Sequence, residues 1–90
     1  MPETYKLVAA NTFLKDIEKL PPEMKARVGE ALLEIKKDPF FSRDLKKLAN
    51  VKLGRWRLSI GDFRLRYDVL GNEIRLMLIR HRKDVYRKNK

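Results

Sequence analysis

From Gly54 to Tyr86 the chain reads GRWRLSIGDFRLRYDVLGNEIRLMLIRHRKDVY, and most of this stretch has a period of two. Trp56, Leu58 and Ile60 alternate with Arg55, Arg57 and Ser59. After Gly61-Asp62, Phe63, Leu65, Tyr67 and Val69 alternate with Arg64, Arg66 and Asp68. Successive side chains of a strand point to opposite faces, so this pattern describes two strands that each bury one face. A Gly-Asp pair between two such runs is a two-residue hairpin turn, and it sets the register. Ile60 then faces Phe63, Leu58 faces Leu65, and Trp56 faces Tyr67. On the polar face Ser59 meets Arg64, Arg57 meets Arg66, and Arg55 meets Asp68. Like charges placed directly opposite destabilise a sheet, and Arg57 opposite Arg66 is such a pair. A solvated face is the ordinary reading of a single exposed arginine. Arginines clustered on adjacent strands favour an anion-binding face.

Ninety residues make one domain, 1–90, with a single modest core. At 43% hydrophobic residues with regular periodicity, the chain is expected to be globular rather than disordered. With no cysteine and one histidine, a disulfide framework and a classical zinc site are excluded. No stretch reads as a membrane span or a signal peptide, so the cytoplasm is the expected location. The net charge is +10, and it is unevenly spread. Residues 1–37 carry 7 Lys/Arg against 6 Asp/Glu, and residues 38–90 carry 15 against 6. The basic charge belongs to the strand-rich half. Nucleic acid is the first partner this suggests and an acidic protein the second. A membrane surface comes last, because no helix has a basic amphipathic pattern.

Thr4–Ala10 reads as a first strand. Asn11 or Thr12 is suited to cap a helix whose stripe is Phe13, Leu14, Ile17 and Leu20. Pro21-Pro22 ends it, and Pro22 suits the first turn of a second helix with Glu23 beside it. Met24, Val28, Ala31, Leu32 and Ile35 form that helix's apolar face, and Lys36 and Lys37 suit its end. The short link between the helices implies an antiparallel pair. Residues 38–50 read as an irregular connection, anchored on the core by Phe40 or Phe41. Gly71-Asn72 marks a second hairpin turn, and Ile74–Ile79, apolar on both faces, reads as a central strand. The fold class is α+β: an N-terminal strand, a helix pair, then a three-stranded antiparallel sheet, in the order β-α-α-β-β-β.

This layout, the segment WRLSIGDFRLRY and the later IRHRKDVY resemble the RelE/ParE superfamily of toxin–antitoxin toxins. The resemblance spans most of the chain and is strongest from Gly54 to Tyr86. It implies either of two activities. RelE-like members are endoribonucleases that cut mRNA in the ribosomal A site, whereas ParE-like members poison DNA gyrase and lack much of the basic catalytic set. Arg64 matches the central basic residue of the RelE-like site. Arg57 matches the first of two basic residues on the preceding strand, and the second falls on Ser59, a departure from the pattern. Arg82 matches the basic residue after the last strand, and Tyr86 the C-terminal tyrosine. Lys46, Lys47, Arg55, Arg66 and His81 have no one-to-one counterpart and are assigned RNA-binding or supporting roles.

RNA transesterification requires deprotonation of a 2′-hydroxyl, stabilisation of a phosphorane and protonation of the leaving oxygen. Arg57, Arg64 and Arg82 suit the second task, since a guanidinium stays charged and matches phosphate oxygens. Tyr86 is either a base or a stacking residue, or packs the tail on the sheet; His81 is an acid at the edge or a supporting residue. Trp56 and Tyr67, on the apolar face, read as core. The resemblance implies an acidic RelB-like antitoxin from an adjacent gene, the ribosome and mRNA as partners, no membrane, no cofactor or metal, and a monomeric free toxin. A gyrase inhibitor, a non-catalytic nucleic-acid-binding module and a degenerate toxin are the alternatives.

Overall fold

The computed structural model describes residues 5–40, 42 and 44–86, with side chains through Asp84. The elements are β1 (Lys6–Ala9), α1 (Asn11–Glu18), α2 (Pro22–Lys37), β2 (Leu45–Lys47), β3 (Trp56–Ile60), β4 (Phe63–Leu70), β5 (Glu73–His81) and α3 (Arg82–Tyr86). One five-stranded sheet has the order β1-β5-β4-β3-β2. Two of its strands were not in the three-stranded sheet expected. β1 adds to β5 in parallel, with Leu7 beside Ile74. β2 lies within the expected irregular connection and pairs antiparallel with β3. Three residues are too few for alternation to show.

Both hairpins turn on a glycine with positive φ, at Gly61 and Gly71, each followed by a residue whose φ is not positive. That is the primed turn with glycine first, whose twist suits the flanking strands. The register of β3 on β4 is the one the alternation implies, from Ile60 opposite Phe63 to Trp56 opposite Tyr67. β5 carries a bulge. Arg66 pairs with Leu78 but Tyr67 pairs with Leu76, so Met77 is the extra residue.

α2 starts as its sequence suggests, with Pro22 first, Glu23 in the first turn and Lys36 and Lys37 in the last. α1 does not: its cap is Ala10, with no side-chain hydrogen bond, and Asn11 and Thr12 lie inside the helix. The Ala10 N–H donates to Leu76 O at 2.9 Å, so the chain turns straight from the sheet edge into the helix. The core between helices and sheet contains Phe13, Leu20, Val28 and Ile35 from the helices, and Leu58, Ile60, Leu65, Tyr67, Ile74, Leu76 and Ile79 from the sheet. Leu14, placed on the α1 stripe, is exposed. Trp56 sits at the core's rim, half-buried.

The anchor of the 38–50 connection is Pro39, which is fully buried, not Phe40, which is 49% exposed; Phe41 lies outside the described residues. Pro39 is held because the Tyr67 hydroxyl donates to its carbonyl at 2.6 Å. Burial, and after it the Asp38 carboxylate, pushes the Tyr67 phenol well above the usual tyrosine range. A free tyrosine ionises near pH ~10. Above that pH the unfolded chain gives up this proton and the folded chain keeps it, so stability falls as pH rises. Tyr67→Phe should remove that alkaline component. At neutral pH it should cost about 1–3 kcal/mol, because a buried carbonyl loses its donor. Urea denaturation of both proteins at pH 7 and pH 11 measures both effects.

Candidate nucleic-acid interface

Paired residues in an antiparallel ladder share a face. The face turned away from the core therefore carries three rows, of which Asp68 and Arg75 form the one toward the Gly71-Asn72 turn. The next row is Lys46, Arg57, Arg66 and Leu78, and the last is Ser59, Arg64 and Arg80. Arg82 joins at the end, since its N–H donates to Asp62 O in the hairpin turn at 2.8 Å. The structure thus brings Lys46, Arg57, Arg64, Arg66 and Arg82 to one face or its rim.

The arginines are held differently. Arg66 donates from Nε to Gly54 O at 2.9 Å and from Nη2 to Leu53 O at 3.0 Å. It is a strut for the preceding loop as much as a surface charge, and this relieves its crowding with Arg57. Arg64 donates from Nη1 to the carbonyls of Gly61 and Phe63, both at 3.0 Å. Its Nε is buried and has no hydrogen-bond partner among the described residues. The turn thus fixes the Arg64 head at the hairpin tip without cancelling its charge.

Arg80 is the residue the sequence reading left out. Counting back from the Gly71-Asn72 turn without a bulge places Arg80 on the core face. The bulge at Met77 reverses that parity and puts Arg80 beside Arg64. A signal for it exists: Arg75 and Arg80 are five apart, and a regular strand cannot turn both outward. Arg80 donates from Nε to Asp16 Oδ2 at 3.2 Å, and the same oxygen accepts the Ile79 N–H. Asp16 thereby closes the β5 edge beyond β1 and neutralises one cation of the row.

Three assigned residues stand elsewhere. Lys47 is on the opposite face from Lys46, paired with Trp56, its Nζ 5.5 Å above the indole. Arg55 precedes β3, and its expected partnership with Asp68 is made by its backbone instead. The Asp68 carboxylate accepts the Arg55 N–H at 2.9 Å and the Gly54 N–H at 2.7 Å. His81 pairs with Phe63 on the helix side, edge-on at 5.4 Å, and its Nδ1 accepts the Lys83 N–H at the start of α3. Tyr86 belongs to α3, but its side chain lies outside the described residues.

Chemically, the described face offers several guanidinium groups and one hydroxyl, Ser59; its carboxylates are Asp68, engaged by the Gly54 and Arg55 amides, and Asp16, bound at the edge. It can hold and neutralise phosphate, and both of its carboxylates are already engaged in hydrogen bonds.

The chain resembles known toxins in sequence and fold. In fold it is similar to the RelB–RelE antitoxin–toxin complex of Methanococcus jannaschii, at 25% identity and a TM-score of 0.72, covering 88% of this chain and 94% of that one. It is similar to a RelBE toxin–antitoxin complex from Mycobacterium tuberculosis, at 25% identity and 0.75, with 87% and 98% covered. The RelE–RelB complex of Pyrococcus horikoshii OT3 shares the fold at 23% identity and 0.76, with 88% and 96% covered. No curated protein matches the sequence at a significant level. The model of the ParE toxin of type II toxin–antitoxin systems matches residues 7–86, and on that match the chain belongs to this toxin family, within the RelE/ParE superfamily.

Proposed function

We propose that this toxin is a metal-independent, ribosome-dependent endoribonuclease that cuts mRNA in the A site by attack of a ribose 2′-oxygen on the adjacent phosphate. The observation that carries this reading is that Arg57 and Arg64 stand in adjacent rows of one face, with Arg82 tied through its backbone to the Gly61-Asp62 turn beside Arg64. A phosphate that draws Arg64 toward it gives the buried Nε a partner, and Arg57 and Arg82 flank it. Guanidinium groups stabilise charge that grows on the phosphorane. They are poor bases, so in-line geometry must come from elsewhere, and the ribosome is the body that would impose it. Tyr86 remains a candidate for proton transfer or stacking. An acidic RelB-like antitoxin, encoded nearby, is the proposed partner, as the complexes it resembles suggest.

The test is a cleavage map. Purified protein is added to ribosomes programmed with a defined mRNA and to the same mRNA alone, and new 5′ ends are located by primer extension. A-site cuts that require the ribosome support the reading. The family match favours a second reading, inhibition of DNA gyrase. Intact mRNA together with arrested supercoiling by purified gyrase would establish that reading and sink the first.

A further inference from the structure

At the other end of the sheet from the Gly61-Asp62 turn, a groove of about 490 Å³ opens near the far end of β4. Its lining includes Leu53, Phe40 and Leu70, exposed by 64%, 49% and 47%. These are three of the six exposed large hydrophobic residues among those described. Trp56 forms a wall, tilted against Phe40 with ring centroids 4.9 Å apart. Lys47, Lys52, Arg55 and Arg75 surround the apolar floor. Asp68 is the lone carboxylate of the lining, and the amides of Gly54 and Arg55 already occupy it. Arg75 contacts Glu73 at 3.3 Å, an exposed pair of little strength.

The groove lies apart from the proposed nuclease site along the sheet, because Arg64 and Leu70 are six positions apart along β4, about 20 Å at strand rise. Its chemistry favours a peptide over a nucleobase. Leucine side chains offer no stacking plane, and the Trp56 ring already carries Lys47 and Phe40. Exposed aliphatic groups inside a ring of cations match an apolar side chain flanked by carboxylates. The loop that forms the floor is tied from both sides, by Arg66 and Asp68, so little ordering is needed on binding.

We propose that this groove seats an acidic segment of a protein partner, with a Leu-, Ile- or Phe-type anchor among Leu53, Phe40 and Leu70 and its carboxylates on Lys52 and Arg75. Identifying that partner as the antitoxin rests on the reading above. The anchor then lies at the opposite end of the sheet from the arginines to be silenced, so grip and occlusion are separable.

Trp56 is the single tryptophan and lines the groove, so its fluorescence reports occupancy. Short random peptides displayed on phage are selected on the intact protein, and the enriched peptides are synthesised and titrated. The expected peptides carry an apolar residue between Asp or Glu residues and change Trp56 emission saturably. Their affinity should fall at least about tenfold, a hot-spot-sized loss, in Leu53→Glu and in Arg75→Glu, and stay unchanged in Arg64→Ala. Leu53 and Arg75 are exposed, and thermal melts confirm that both variants fold. Failure to select peptides, peptides without acidic residues, or affinity indifferent to both groove substitutions overturns the proposal. Saturation of the Trp56 signal by a single-stranded RNA oligomer also overturns it, in favour of a nucleotide site. Cleavage is scored on the same variants. Groove variants that cut mRNA normally but lose the peptide uphold both readings; normal peptide binding with no cleavage by any protein removes the nuclease reading alone.

Discussion

Arg64→Ala should lower ribosome-dependent cleavage about 100- to 1,000-fold, the usual loss when one preorganised charge-stabilising donor is removed from a reacting centre. The fold should tolerate the change. Arg64 is half-buried at a hairpin tip, and its described bonds go to carbonyls of the turn itself. Arg64→Lys should recover part of the rate, since it keeps the charge but loses the planar fork. Single-turnover cleavage on programmed ribosomes measures the effect, with thermal melts showing that the variants fold. Undiminished cleavage by Arg64→Ala would remove this residue from the site. Arg66→Ala offers the contrast. Its guanidinium is committed to the carbonyls of Leu53 and Gly54, so the variant should lose stability more than rate.

Asp68→Ala should be the most destabilising single change on the polar side of the sheet. The carboxylate is 9% exposed and accepts two backbone N–H groups, at 2.7 and 2.9 Å. Hydrogen bonds to a charged group are worth about 1.5–3 kcal/mol each, and both amides would be left without an acceptor. A loss of about 3 kcal/mol is expected, against a total of about 5–15 kcal/mol for a small domain. For a chain of this size it should lower Tm by about 12–24 °C. Asp68→Asn keeps one acceptor oxygen and should lose roughly half as much, in proportion to the bonds removed. Calorimetric melts decide it; a Tm within a few degrees of the parent's would mean that the loop is held by other contacts. Gly54 should make this loop unforgiving from the other side. Its φ is +65°, and an added Cβ would lie 3.1 Å from Arg66 Cβ.

The β3–β4 hairpin was legible to the residue. Alternation fixed the faces and a two-residue turn fixed the offset, so little was left for tertiary structure to decide. Arg57 and Arg64 were placed correctly for that reason. The rest failed where pairing depends on partners far along the chain. β2 is three residues long, so nothing in its sequence separates the face of Lys46 from that of Lys47. Arg80 was lost to one extra residue, Met77, which reverses parity halfway along β5. The partner of Asp68 was misread because the pattern names side chains, and the groups it binds are backbone amides. Pro39 outranks Phe40 as an anchor because a tyrosine on another strand claims its carbonyl.

The position of β5 has a consequence for how the molecule comes into being. It is the last strand to be synthesised, and it lies between β1, the first, and β4. β1 has no partner in the sheet until then and must wait for a strand more than sixty residues downstream, a long-range closure that slows folding. Arg80 and Arg82 arrive with the same final segment. Until β5 has been made, a nascent chain therefore carries an unfinished sheet and an incomplete basic face.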